Sequence, residues 1–222
     1  MKRCLYPVIL LLVLSLPAFA GDELPTLEQI LDRYLAQLGG REAVAALDTR
    51  VIAGRQIDDR PYRGPAVTSK MTVRADAGGD WTMSLQTPQG EFREGQADGK
   101  NWKKEPGGEV LTHDNRNTKL AYLFNPQGPL MIENYFPNLK VTGTWDYDGV
   151  EYYKVENDLK FEYYTLYFEV GTGMLTRIGY HWRIEGYHEV DGVMVPAVVR
   201  QGRKLSLIHI SEPTRQYCQS RM

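Results

Sequence analysis

The amino-acid sequence predicts a mainly β fold of the α+β class. We expect a curved antiparallel sheet, or open half-barrel, closed by an N-terminal helix and a helical insertion. Apolar residues at helical spacing end at a Gly-Gly pair near position 40, and apolar residues then alternate with polar ones along most of the chain. One stretch near position 125 breaks that alternation. A period of two is typical of strands with one buried face, and a period of 3.6 is typical of helices.

The N-terminal helix has clear start and stop signals. Thr26 followed three residues later by Gln29 forms a capping box. Gly39 and Gly40 then end the helix, because glycine readily adopts the left-handed conformation found at helix C-termini. Apolar residues between these signals share one face: Leu27, Ile30, Leu31, Tyr34, Leu35 and Leu38. A shorter helical piece at 43–47 follows, and both pieces need an apolar surface to cover that face.

Short strands separated by turns account for most of the remaining chain. Residues 67–75 alternate apolar with polar positions, and residues 81–85 do the same. Turn sequences recur along the chain: Pro88-Gln89-Gly90, Asp98-Gly99, Pro106-Gly107-Gly108, Asp148-Gly149, Gly171-Thr172-Gly173 and Asp191-Gly192. This regular spacing predicts an antiparallel meander that closes as a barrel or a strongly curved sheet.

Residues 114–138 interrupt the meander. Leu120, Leu123 and Phe124 have helical spacing, a Pro/Gly break follows at 125–129, and the apolar stretch after it lacks strand alternation. We predict that this insertion is helical and covers one mouth or face of the sheet.

The two ends of the chain are expected to lie outside the folded domain. Residues 1–20 have the order of a cleavable signal peptide: a basic start, an apolar run of about a dozen residues and an Ala-Phe-Ala cleavage site. That run is short for a bilayer, so we predict no permanent membrane span. Residues 205–222 resemble the translation of a transposase adapter used in preparing DNA for sequencing. The predicted domain is therefore 21–204, truncated at its C-terminus.

Composition restricts the partners of this domain. Both cysteines, Cys4 and Cys218, lie in the two end segments, so a disulfide framework or thiolate metal site is excluded for residues 21–204. Four of the 26 basic residues and one of the 28 acidic residues also lie in those segments, which leaves a net charge of about −5. A negative charge of this size argues against nucleic acid as a partner.

Several phrases resemble the periplasmic outer-membrane lipoprotein-sorting superfamily, whose members are LolA- and LolB-like. The first is LAQLGGREAVAAL at 35–47, and ADGKNWKKEPGG at 97–108 is similar to strand–turn–strand phrases of that superfamily. YFEVGTGMLTRI at 167–178 and YHEVDGVMVPAVV at 187–199 show the same similarity. The resemblance implies an open half-barrel in the periplasm that holds a lipid or acyl chain in an apolar hollow. It assigns no ligand contact residue by residue.

Aromatic and apolar residues are the candidates for lining such a hollow. Strand residues on one face supply Trp81, Met83, Leu85, Phe92 and Trp102, and the insertion supplies Tyr122, Phe124, Met131, Tyr135 and Phe136 as a lid. Core filling and cross-strand pairing account for the same residues without a ligand.

Signals of catalysis or metal binding are weak. The sequence has no GxSxG, HExxH, Walker or CxxC pattern. His181 and His188 fall on opposite faces of one strand unless a bend near Gly186 breaks the register, so we predict no metal site with Glu189. His113 next to Asp114 has no nucleophile beside it. We therefore expect a non-enzyme with no cofactor.

The leading hypothesis is a periplasmic carrier or binding protein for a lipid, a lipoprotein acyl chain or a similar amphiphile. Its partners would be a lipid or acylated protein, and envelope proteins. One alternative is the N-terminal accessory domain of a longer exported enzyme such as a protease. Another is an envelope interaction module with a filled core and no ligand.

Overall fold

The computed structural model describes residues 23–58, 65–113, 118–158 and 164–202, together with the backbone of 206–213. The described residues include four α-helices: α1 (Leu27–Gln37), α2 (Arg41–Ala45), α3 (Thr118–Phe124) and α4 (Ile132–Tyr135). A 3-10 helix (Gly128–Met131) lies between α3 and α4. The strands are β1 (Thr49–Asp58), β2 (Val67–Asp76), β3 (Trp81–Thr87), β4 (Gly90–Ala97), β5 (Lys100–Lys104), β6 (Val110–His113), β7 (Leu139–Tyr147), β8 (Val150–Asn157), β9 (Leu166–Glu169), β10 (Leu175–Ile178), β11 (Trp182–Val190), β12 (Val193–Gln201) and β13 (Ser206–Pro213).

The strands form two antiparallel six-strand meanders that do not close into a barrel. We call β1–β6 the first half and β7–β12 the second half. β13 lies between β1 and β12, and β6 and β7 are the two ends of the strand order. The concave side carries the buried apolar residues of both halves, and the helices cover it. The predicted fold class is confirmed.

Helix α1 begins and ends where its sequence signals place it. The side chain of Thr26 accepts a hydrogen bond from the backbone N–H of Gln29, whose own side chain accepts one from the Thr26 N–H at 2.8 Å. The helix buries Ile30, Tyr34 and Leu35 against the sheet. Because these residues lie three to four positions apart, one face of the helix meets the concave side.

Gly39 fixes the C-terminal end of α1 to the second half. Its φ of 109° lies in the region that favours glycine, and a Cβ at this position would lie 2.2 Å from the carbonyl oxygen of Gly192. Next to it, the carbonyl of Leu38 accepts a hydrogen bond of 2.9 Å from the N–H of Met194 on β12. The glycine pair therefore ends the helix and also allows it to touch the β11–β12 turn.

The helical insertion is confirmed as two short α-helices around a break. Residues 114–117, where the first predicted helix begins, lie outside the described residues. Asn125 is buried at the break, and its Nδ2 donates to the Tyr135 hydroxyl at 2.9 Å while its Oδ1 accepts from the N–H of Gln127 at 2.7 Å. These bonds satisfy a buried amide, as burial in an apolar region requires.

Two predictions about the chain ends stay predictions. The signal peptide falls on residues 1–20, outside the described residues. In the proposed non-native tail, the backbone of 206–213 forms β13 and pairs with β1 and β12. That segment thus occupies the strand position that joins the two halves.

Candidate functional site

The insertion packs its aromatic rings onto the concave face of the first half. Trp81 on β3 meets Phe124 on α3 with ring centroids 5.3 Å apart. Tyr122 contacts Tyr135 at 5.8 Å and Phe136 at 5.3 Å, both edge to face. This geometry stabilises buried aromatic pairs beyond the area they bury. The structure therefore brings together the strand residues and the insertion residues of the predicted hollow.

Eight of the ten predicted lining residues lie in this shared core or pack against it. They are Trp81, Met83, Leu85, Phe92, Tyr122, Phe124, Tyr135 and Phe136. Met131 is half-buried, with its sulfur 4.0 Å from the side-chain nitrogen of Asn125. Side chains fill the space between sheet and insertion, so a contact role for these residues toward a ligand stays a prediction.

Trp102 corrects the prediction that all five strand residues share one face. It pairs with Gly95 on β4, and Gly95 pairs with Thr82 on β3, so its side chain lies on the outer face of the sheet. A two-residue turn at Asp98-Gly99 fixes this register. The Asp98-Gly99 turn is therefore the sequence signal that could have predicted the face of Trp102. Counting an equal number of residues on each side of the turn places Trp102 opposite Gly95.

Two buried tyrosines, Tyr34 and Tyr122, and the half-buried Tyr187 form a polar cluster within the apolar surroundings. The hydroxyls of Tyr34 and Tyr122 are 3.3 Å apart, and the Tyr187 hydroxyl donates to the carbonyl of Leu175 at 2.6 Å. Burial raises the pKa of Tyr34 and raises those of Tyr122 and Tyr187 well above the usual value. All three hydroxyls are therefore neutral at physiological pH and act as hydrogen-bonding groups.

Arg50 adds a cation to this cluster from the concave face of β1. Its Nη1 donates to the carbonyl of Leu123 on α3 at 3.2 Å, which links strand and insertion. Desolvation lowers the pKa of Arg50 to about 10, so the guanidinium remains charged at pH 7. Among the described residues no carboxylate forms an ion pair with it. A cavity of about 20 Å³ beside Arg50 has room for a water molecule.

A larger groove opens between α1 and the strands β7, β8 and β9. Its volume is about 380 Å³, within the range of about 300–1,000 Å³ typical of ligand pockets. Thr144 pairs with Tyr153, and Tyr153 pairs with Phe168, so the groove floor crosses three neighbouring strands. The described residues that line it are Glu23, Leu24, Pro25, Gln29, Ile30, Arg33, Thr144, Glu151, Tyr153, Phe168, Val170 and Gly173.

The groove reaches the concave core through Phe168. The ring of this residue is fully buried and meets Tyr34 of α1 edge to face at 5.4 Å. At the outer end Leu24 is 43% exposed, so the apolar lining continues to the surface. An apolar path therefore runs from solvent to the seam between α1 and the sheet.

Arg33 connects the wall of the groove to the loop after β9. Its Nη2 donates to the carbonyl of Gly171 at 2.7 Å. A Cβ on Gly173 would lie 2.8 Å from Cγ of Arg33, so the absence of a side chain there makes room for the arginine. The charged residues in the groove lining are Glu23, Arg33 and Glu151.

The sequence prediction missed this groove, since none of its lining residues is among the ten candidates. Strand alternation through 151–155 is a signal that could have placed Tyr153 on the concave face. The position of α1 over β8, however, depends on contacts far apart in the sequence.

Neither metal binding nor a membrane-spanning helix is found in the described part of the chain. Within it, no group of three or more His, Cys, Asp or Glu side chains is arranged to hold a metal ion. No helix in the same residues combines the length and apolar character needed to cross a bilayer.

An open, antiparallel half-barrel with helices over its concave face is the LolA-like fold. A LolA superfamily protein from Nitrosomonas europaea superposes with a TM-score of 0.55 at 13% identity, covering 87% of this chain and 94% of that one. A DUF1329 family protein from Desulfovibrio piger gives 0.54 at 12% identity, covering 87% and 94%. An outer membrane lipoprotein-sorting domain from Vibrio parahaemolyticus gives 0.55 at 11% identity, covering 86% and 92%.

These likenesses confirm the resemblance inferred from the sequence at the level of the fold. No protein-family model and no curated protein sequence matches the chain.

Proposed function

We propose that the protein is a non-catalytic periplasmic carrier or binding protein for a lipid, a lipoprotein acyl chain or a similar amphiphile. The observation that carries the proposal is the groove of about 380 Å³ along α1, whose lining leads to the apolar concave face. The LolA-like fold supports it, because one similar structure is a lipoprotein-sorting domain.

The groove chemistry suits a molecule with an apolar tail and a polar head. Burial of a methylene group contributes about 0.8 kcal/mol, so contact of a tail with Ile30, Tyr153 and Phe168 would contribute to its binding. Arg33 and Glu151 in the groove lining provide charged partners for a head group. The rest of the concave face is filled, so a long tail requires α1 to move outward.

Uptake of a fluorescent fatty acid by the purified domain tests this proposal. We expect saturable binding and a lipid adduct in native mass spectrometry. Thr144→Trp places a large ring in the groove and should reduce binding at least tenfold. Lys100→Trp is the control, because Lys100 lies on an exposed position of the first half and should leave binding unchanged.

A filled concave face also favours the second candidate, an envelope interaction module without a ligand. Protein that takes up no fatty acid and carries no lipid when purified from the envelope would favour that alternative and overturn the carrier proposal.

Export is tested separately by sequencing the N-terminus of protein recovered from the periplasm, where Gly21 is the expected first residue.

A further inference from the structure

The outer face of the first half holds basic residues directly opposite one another. Arg55 on β1 pairs with Lys70 on β2, and Arg93 on β4 pairs with Lys104 on β5. Arg74 lies on the same face of β2. Like charges directly opposite on neighbouring strands destabilise a sheet. In the described part of the chain, Arg55, Lys70, Arg74 and Arg93 make no ion pair, so this repulsion is not neutralised internally.

Three of these cations, Lys70, Arg74 and Arg93, surround a basin of about 450 Å³ formed by β2, β3 and β4. Short hydroxyl side chains form its floor: Thr72, Thr82 and Ser84, with Thr72 directly opposite Ser84. Longer side chains stand around them: Lys70, Arg74, Gln86, Glu91 and Arg93. The difference in side-chain length recesses the hydroxyls below a mainly cationic rim.

Among the described residues that line the basin, the only carboxylate is held by an amide. Gln86 Nε2 donates to Glu91 Oε1 at 3.3 Å. Arg93 instead lies over the ring of Trp102, with its guanidinium carbon 5.8 Å from the ring centroid. Trp102 in turn covers Gly95, where a Cβ would lie 2.9 Å from the ring. Arg93 is thus oriented by the protein, and among the described residues no ion pair occupies Lys70, Arg74 or Arg93.

We propose that this basin binds a phosphorylated saccharide. Arginine and lysine are the side chains that recognise phosphate, through charge-assisted hydrogen bonds. The hydroxyls of Thr72 and Ser84 and the amide of Gln86 match the donors and acceptors of a sugar. A flat bilayer or a globular protein would rest on the rim without reaching the recessed floor, whereas a phosphorylated sugar can fill it.

The basin and the groove along α1 lie on opposite faces and in different halves of the sheet. Binding at one can therefore fail while the other holds, and the two proposals are independent.

Calorimetric titration of the full chain with glucose 6-phosphate, inorganic phosphate and glucose tests the basin. We expect glucose 6-phosphate to bind more tightly than phosphate, and glucose to give no measurable heat. The triple variant Lys70→Gln, Arg74→Gln and Arg93→Gln should lose affinity about tenfold or more. The control triple variant Arg41→Gln, Lys140→Gln and Arg183→Gln removes the same charge elsewhere and should bind normally. Equal losses in both variants, or absence of glucose 6-phosphate binding, overturn the proposal.

A second variant separates the sugar from the phosphate. Thr72→Val with Ser84→Ala removes the floor hydroxyls and should abolish the preference for glucose 6-phosphate over inorganic phosphate. An unchanged preference would contradict a saccharide site.

Binding to vesicles of phosphatidylglycerol in phosphatidylcholine is the last measurement. If they bind through the three cations while glucose 6-phosphate does not, the face is a membrane contact and the proposal is wrong. Thermal unfolding of each variant confirms that the fold is intact.

Discussion

The two halves of the sheet have the same architecture and different outer faces. On the first half, cations lie opposite cations around an open basin. On the second half, Arg177 lies over the rings of Tyr147 at 4.1 Å and Trp145 at 5.3 Å, and Arg200 is paired with Glu185. On the second face Arg177 and Arg200 therefore have partners within the chain, although Arg183 lies opposite both of them. On the first face Lys70, Arg74 and Arg93 make no ion pair among the described residues.

The aromatic residues account for this difference. Tyr167 points to the outer face of β9, yet it is only 2% exposed because Trp145 covers it with ring centroids 4.8 Å apart. On the first half the basin is lined by threonine, serine and glutamine together with charged side chains, and no aromatic ring is among its described lining residues. Aromatic rings that pack on one another over a sheet face add to the stability of the fold. Short polar side chains add little stability and leave the sheet face accessible to a ligand.

The largest expected effect is on the attachment of α1 to the second half. Gly39→Ala should lower the free energy of unfolding by about 3–5 kcal/mol, because its Cβ would meet the Gly192 carbonyl and its φ is positive. Chemical denaturation measures the change. Gly40→Ala is the matched control, since it shares a positive φ and has open space around its Cβ. Equal losses in both variants would show that the contact with Gly192 contributes nothing.

Removing the buried ring of the second outer face comes next. Tyr167→Ala should cost about 3 kcal/mol, the usual scale for deleting a buried aromatic side chain. Thr68→Ala, at an exposed position on the outer face of β2, should change stability by less than about 0.5 kcal/mol. If both variants unfold at the same denaturant concentration, the two outer faces contribute equally to stability and the comparison is wrong.

The ion pair between Glu185 and Arg200 on the second face should contribute more to stability than the carboxylate of Glu91 on the first face. Glu185→Gln leaves Arg200 opposite Arg183 without its partner, so we expect a loss of about 1 kcal/mol that shrinks in high salt. Glu91→Gln on the first face should cost less, because Glu91 contacts an amide. Thermal melts at low and high salt measure both, and the reverse order would contradict the comparison.

The smallest effect has the opposite sign. Lys70→Gln removes one member of a like-charge pair with Arg55 and should raise stability by about 0.3 kcal/mol at low salt. The gain should vanish at high salt, because screening removes the repulsion. Lys140→Gln is the control, since Lys140 is 2.6 Å from Asp158 and gains nothing from neutralisation. Destabilisation of the Lys70 variant would disprove the repulsion.

Sequence reasoning predicted the sheet, both helical regions and the apolar faces of α1, β2 and β3, but it did not predict the core residues of the second half. It placed Trp81, Met83 and Leu85 correctly on one buried face, because strand alternation is a local signal. It placed Trp102 on the wrong face, because the face of β5 depends on register with β4. Neither the groove nor the basin was predicted, since each is lined by several strands whose side chains meet only after the sheet has formed.

By itself the sequence determined the local structure: the capping box that starts α1, the glycines that end it, and the Asp-Gly turns. At Asp98, Asp148 and Asp191 the φ values of 51°, 54° and 50° are those of primed hairpin turns, as the dipeptides require. Only the tertiary structure decided that Gly39 would meet Gly192, that α1 would leave a groove beside Tyr153, and that one outer face would be covered by its own rings. Caps and turns depend on atoms a few residues apart, whereas these contacts depend on how the whole sheet curves and registers.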